Sequence, residues 1–155
     1  MITKTTEAAF RILSHLLARK EAGPVSVQRL AEDLGGSPTY LAKVANHLVR
    51  GGILSSKRGI QGGLELTRTA RFVPLLRVVE VCQGLPAAAY CDSRITAGVK
   101  VCTYHSVMAD LHEAFIGILG KKNIGDLARC PVGTDGRGVH LPGCRMNHAE
   151  AHRAG

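Results

Sequence analysis

Apolar and polar positions along the 155-residue chain fall into a succession of distinct periods. Ala9, Phe10, Leu13, Leu16 and Leu17 recur at three-and-four spacing, which predicts an amphipathic helix from Thr6, its capping residue, to about Lys20, stopped by Gly23-Pro24. Val27, Leu30, Ala31 and Leu34 predict a short second helix capped by Ser26, with Gly35-Gly36 giving the backbone freedom for a tight turn. Ser37 is expected to cap a third helix with Pro38 in its first turn. Leu41, Val44, Ala45, Leu48 and Val49 face inward as far as Arg50, and the other face carries Thr39, Tyr40, Lys43, Asn46 and His47. After Gly51-Gly52 the period changes to two. Ile53-Leu54 opens a strand, Leu64 and Leu66 alternate with Glu65 on the return, and Lys57-Arg58-Gly59-Ile60-Gln61-Gly62-Gly63 lies between as a basic, glycine-tipped hairpin.

In the second half, Phe72 to Gln83 reads as a helix with Val73, Leu76, Val79 and Val81 on its apolar side, ended by Gly84-Leu85-Pro86. Ala87 to Cys102 has weak periodicity and reads as a loop. Thr103 to Leu119 is the clearest helix of the chain, with Val107, Met108, Leu111, Ala114, Phe115, Ile118 and Leu119 at helical spacing. That stripe is too apolar for the outside of a monomer with so small a core, so it is expected to be a dimerisation helix; packing on its own reading head is the alternative. A short helix around Ile124 to Arg129 follows, and from Cys130 glycine, proline, histidine and arginine dominate, as in a flexible tail. The expected fold is mainly α. Residues 1–72 form a winged helix-turn-helix, 73–129 a sensor loop with dimerisation helices, and 130–155 the tail.

Helix, turn, helix and basic hairpin in that order are the parts of a winged helix-turn-helix, in which one helix enters the major groove and the hairpin touches the flanking backbone or minor groove. Ser37, Thr39, Tyr40 and Lys43 of the third helix, with Lys57, Arg58, Gln61 and Gly62 of the hairpin, are the expected DNA-contacting residues. A phosphate-binding P-loop is a poor fit, because no Lys-Ser or Lys-Thr follows Gly63 and no helix opens there. The formal charge of +8 sharpens this reading through its distribution. Residues 1–71 hold eleven Lys and Arg against five Asp and Glu, whereas 72–155 hold nine against seven. A solvated basic face would give the same composition; the coincidence with the reading head favours phosphate. A two-fold dimer would match a palindromic operator in double-stranded DNA.

No run approaches the roughly 18 apolar residues of a membrane span. Arg11 and His15 break the first apolar stretch, which is no signal peptide, and a cytoplasmic protein is expected. Cys82, Cys91, Cys102, Cys130 and Cys144 are odd in number and include no Cys-x-x-Cys pair. That argues against a secreted disulfide framework and leaves metal binding, redox sensing or burial. Cys82, among valines, reads as buried. Cys130, His140, Cys144 and His148 bring further soft and borderline donors together in the tail, at no compact zinc spacing. An enzyme using Cys102 and His105 as nucleophile and base lacks an orienting third group, so no catalytic activity is expected.

Ala31-Glu32-Asp33-Leu34, Ser37-Pro38-Thr39-Tyr40-Leu41, Gly52-Ile53-Leu54 and Arg58 to Gly63, followed by Val79-Glu80 and a cysteine-bearing loop before a long helix, resemble the IscR/NsrR-like family of bacterial winged-helix transcriptional regulators over about residues 1 to 129. The resemblance implies a homodimer, with an iron-sulfur cluster between the reading head of one subunit and the cysteine loop of the other. Cys91, Cys102 and His105 match the first cysteine, last cysteine and histidine of the family's loop; its middle cysteine has no counterpart, Ala97 standing near its place. Glu7 falls where some members supply a carboxylate from the partner's first helix. Cys91, Cys102, His105 and Glu7 would then hold a two-iron cluster with mixed ligands. Thiolates and imidazoles are suitable donors, and Cys102 and His105, three apart at a helix start, can face one site. The alternative is a cluster-free regulator switched by a Cys91–Cys102 disulfide or by a partner protein.

Overall fold

The computed structural model describes residues 2–19, 23–59, 62–85 and 103–128. Gln61, the whole of the expected loop 87–102 with Cys91 and Cys102, and the expected tail with its Cys130, His140, Cys144 and His148 set lie outside the described residues. Among the described residues five helices and one two-stranded sheet follow in the order α1 (Lys4–Ala18), α2 (Val27–Leu34), α3 (Pro38–Arg50), β1 (Leu54–Lys57), β2 (Gly63–Leu66), α4 (Leu75–Gln83) and α5 (Thr103–Lys121). Short 3-10 turns lie at Ala70–Phe72 and Ile124–Ala128.

The core is built from the inward stripes of the first three helices. Ile12 and Leu13 of α1, Leu30 of α2, and Val44 and Leu48 of α3 are fully buried, and Leu54 and Leu64 of the hairpin join them. Val78 from α4 and Ile124 from the turn after α5 enter the same cluster. The chain beyond α5 therefore returns to the reading head. Ile124 N–H donates to the Val73 carbonyl at 2.8 Å and Leu75 N–H to the Lys122 carbonyl at 2.8 Å, a strap that lets Ile124 close the core beside α1.

Several boundaries depart from the pattern reading for local reasons. Helix α1 starts at Lys4 with Thr3 as its cap, accepting from Thr6 N–H. Thr6 cannot cap because it is buried one turn inside, where its hydroxyl meets Gln83. The helix expected from Phe72 starts at Leu75. Pro74 disfavours helical geometry at Val73, which is extended and gives its carbonyl to Ile124, while Phe72 belongs to the preceding 3-10 turn. Ser26 caps α2 as expected, its hydroxyl accepting from Arg29 N–H at 3.1 Å. Ser37 stands at the N-cap of α3 without a side-chain capping bond.

Helix α5 divides its apolar stripe. Tyr104, Val107, Leu111 and Ile118 are exposed, whereas Met108, Phe115 and Leu119 are half-buried and the helix contacts α4. The stripe is wider than one seam, so one helix serves both an intramolecular contact and a face left to solvent in the single chain.

Candidate nucleic-acid interface

Helix α3 buries Leu41, Val44, Ala45 and Leu48, which turns Thr39, Tyr40, Lys43 and Asn46 outward. Pro38 sits in its first turn and removes one of the unpaired amides there; Leu41 N–H is satisfied by the Ser37 carbonyl. The Ser37 hydroxyl and the Thr39 and Tyr40 amides are left at an exposed helix start, where backbone donors and the helix dipole favour an anion. Lys43 follows on the outer face, and neither it nor Arg58 makes an ion pair among the described residues.

What aims this helix is the turn before it. Gly35 adopts φ 64°, a left-handed conformation suited to glycine, and its N–H returns to Ala31. Arg11 of α1 reaches across and donates from Nη2 to the Leu34 carbonyl at 2.6 Å. A charged guanidinium thus closes the end of α2, in a place where free carbonyls and the negative end of the dipole favour it. In the sequence Arg11 stands out only as an interruption of an apolar stripe. On the same side of α1, His15 Nε2 stands 3.2 Å from Asp33 Oδ2 without the alignment of a hydrogen bond, and Arg29 Nε lies 3.1 Å from the other carboxylate oxygen. Burial dominates at His15 and pushes its pKa down, although the Asp33 carboxylate opposes the shift.

The hairpin is a two-stranded antiparallel ribbon with Leu54 opposite Leu66 at its base and Lys57 opposite Gly63 near its tip. Its anchor is Val25, which no sequence pattern marks: the Val25 and Leu64 amides and carbonyls exchange two 2.8 Å hydrogen bonds, tying the return strand to the link before α2. Gly63 needs to be glycine, because a Cβ there would collide with the Val25 carbonyl. A Cβ on Gly62 would collide with the Lys57 carbonyl inside the tip. Arg58 is exposed at that tip. Lys57 is engaged by Glu65, with Nζ 3.0 Å from Oε1 and 3.2 Å from Oε2, and this hydrogen bond holds the Glu65 carboxyl below its ordinary range. Ser37, Thr39, Tyr40 and Lys43 thus share one exposed helix face, and Lys57, Arg58 and Gly62 lie on the hairpin that follows; the structure does not describe Gln61.

Of the four expected cluster ligands, two are described. Glu7 lies half-exposed in the first turn of α1 and makes no ion pair among the described residues. His105 is half-buried in the first turn of α5. No group of three or more metal-ligating side chains converges among the described residues. Cys82 is half-buried against the core, and burial pushes its thiol up to about 11, so it remains protonated and a poor ligand at neutral pH. No helix among the described residues is long and apolar enough to cross a membrane.

Residues 2–130 match the Rrf2 family, described as iron-dependent transcriptional regulators. The transcriptional repressor NsrR of Streptomyces coelicolor is 28% identical over 85% of this chain and 90% of its own length. The transcriptional regulator IscR of Escherichia coli is 27% identical over 81% and 78%. Among solved structures, CymR, the global cysteine regulator of Bacillus subtilis, superposes with a TM-score of 0.65 at 21% identity, covering 83% of this chain and 95% of that one.

Proposed function

The chain belongs to the Rrf2 family of DNA-binding transcriptional regulators and is not an enzyme, and from that premise we propose that it acts as a homodimer on a palindromic operator, with an affinity set by an iron-sulfur cluster. The observation that carries the DNA half is the exposed start of α3, with Ser37, Thr39, Tyr40 and Lys43 on one face, backed by a hairpin pinned through Val25. Phosphate contacts from the helix start and the wing fix the register, and side chains of α3 read base edges. Arg58 suits a narrow groove beside the major-groove site. The second protomer is assigned to the face of α5 bearing Val107, Leu111 and Ile118, where Asp110, Glu113 and Lys121 supply a charged rim of both signs.

The cluster half rests on the family's iron dependence and on the donor set. Cys91, Cys102 and His105 of one protomer and Glu7 of the partner subunit would hold the group, two thiolates with an imidazole and a carboxylate. The residues described fit this role: Glu7 is uncommitted to any ion pair among them, and Cys82 is withdrawn from competition by burial. A bound cluster would supply a redox-variable charge and a tie between protomers. Glu7 lies on α1, whose Arg11 closes the turn before α3, so α1 would link a group held at Glu7 to the helix that reads DNA. A second reading is regulation without a cluster, through a Cys91–Cys102 disulfide or a partner protein, and the description of CymR as a cysteine regulator is compatible with it.

The DNA half is tested on a duplex selected from a random pool by the wild-type protein. Arg58→Ala and Lys43→Ala should each weaken binding, by about 1–3 kcal/mol where the side chain meets a base edge. Unchanged affinity in both variants and in their combination would remove the docking mode.

A further inference from the structure

The hairpin has a second charged end, at its base. Past Leu66 the chain turns through Arg68 and Thr69 into the 3-10 turn Ala70–Phe72. Ala70 is fully buried, and the side chains on either side of it splay outward. Phe72 is 77% exposed, the most exposed of the large apolar side chains described. Arg68 and Arg71 are exposed and make no ion pair among the described residues. Arg68 stands in the turn that leads into the 3-10 helix and Arg71 is its second residue, so both guanidinium groups and the Phe72 ring are borne by one short exposed segment.

This shelf is rigid. Thr67 N–H donates to the Ile53 carbonyl at 3.1 Å, and its hydroxyl donates to the Gly52 carbonyl at 3.1 Å. Phe72 N–H donates to Thr69 and Val73 N–H to Ala70, while the strap beyond α5 holds Val73 through Ile124. Gly125 of that strap lies so close to the Arg71 carbonyl that an added Cβ would stand 3.0 Å from it. The backbone that carries the Phe72 ring is thus ordered before any partner arrives, which lowers the ordering cost of binding there.

We propose that Arg68, Arg71 and Phe72 form a docking surface for an acidic segment of another protein that offers an apolar side chain to Phe72. Charge selects this occupant. A second copy is assigned above to the exposed face of α5, and residues 129–155 of the chain itself carry four arginines against Asp135 and Glu150, a poor match for two guanidinium groups. DNA has the matching charge, yet Phe72 would find no apolar partner along a phosphate backbone. The shelf also lies at the Leu54–Leu66 end of the ribbon, three residue pairs or roughly 10 Å from the tip at Lys57 and Gly63. A protein seated there could be engaged while α3 and the tip stay on the operator.

The test is fluorescence anisotropy of the full-length dimer with a short labelled peptide of Asp and Glu bearing one Leu-Phe pair, at physiological salt. A peptide with Ser in place of Leu-Phe and one with Lys in place of the acids serve as controls. We expect Phe72→Ser and the pair Arg68→Glu with Arg71→Glu each to weaken the acidic peptide roughly tenfold or more. Arg58→Ala should leave it unchanged, and operator affinity should be untouched by Phe72→Ser. Peptide binding indifferent to Phe72 and to both arginines would overturn the proposal. So would an operator affinity that falls with Phe72→Ser, which would make the shelf a nucleic-acid contact, or a changed oligomeric mass, which would make it a subunit contact.

Discussion

Thr6, the one fully buried polar residue among those described, donates its hydroxyl to Gln83 Oε1 at 2.6 Å, and the Thr3 amide donates to the same oxygen at 2.9 Å. One side-chain carbonyl at the end of α4 thus fastens the start of α1, across 77 to 80 residues of sequence. Gln83→Ala leaves the buried Thr6 hydroxyl only its 3.2 Å contact with Thr3 Oγ1 and should cost about 1 kcal/mol, read as a fall in thermal midpoint of roughly 3 °C for a chain of this size. Thr6→Val keeps the volume and the Thr3 bond, and should cost less. Equal midpoints for wild type and Gln83→Ala would show the clamp to be without weight.

His15 sets a pH dependence whose sign follows from its environment. Burial pushes its folded pKa below the ordinary 6.5, so the unfolded chain takes up the proton first as pH falls. The stabilisation is fully present above 6.5 and is lost on acidification, levelling off once the folded pKa is passed. Denaturant midpoints measured from pH 7.5 downward should therefore drop for wild type and stay flatter over the first two units for His15→Gln. A steeper profile in the variant would contradict the assignment.

In the proposed docking, Glu65 would compete with a phosphate for Lys57. Glu65→Gln should release the ammonium group to a phosphate, steepening the dependence of operator affinity on salt by about one contact, whereas Lys57→Ala should flatten it or leave it unchanged. An unchanged salt slope in Glu65→Gln would mean that Lys57 faces away from the phosphates.

The two sides of α5 should fail differently. Leu111→Asp and Ile118→Asp place a carboxylate on the exposed side and should give a folded monomer by light scattering, since a charge cannot be buried unpaired in an apolar interface. Met108→Asp, on the half-buried side, should instead lower thermal stability. A soluble dimer with unchanged operator affinity in both exposed-face variants would place the subunit contact elsewhere.

The helices and the hairpin are legible because each is written in a local period: α2 with its Ser26 cap, α3 with its inward leucines and valines, and the alternation through Leu64 and Leu66. Long-range partners are not. Thr6 reads as a cap until Gln83 is beside it, Val25 reads as a linker until it pairs with Leu64, and Lys57 reads as a free cation until Glu65 folds back across the ribbon. Arg11 gives a hint, a charge set within an apolar stripe, though nothing local names the Leu34 carbonyl as its target. Periodicity alone misplaces the start of α4, because the apolar pattern runs straight through Pro74, which is a boundary and not a helical residue. Even the split of the α5 stripe is hidden, since periodicity reports that a face is apolar and is silent on which neighbour covers it.

The proposed coupling of a cluster to DNA binding is tested most directly by one titration. Protein isolated without oxygen is assayed for iron and sulfide, and its affinity for the selected duplex is measured before and after the iron is removed by chelation, alongside Cys91→Ala and Cys102→Ala. Wild type should be coloured and contain iron and sulfide, and its operator affinity should change by roughly tenfold or more on removal, the order of a typical coupling between sites. Both variants should be colourless and fixed at the stripped affinity. A colourless, iron-free wild type whose operator affinity ignores chelation and both cysteines would contradict the account.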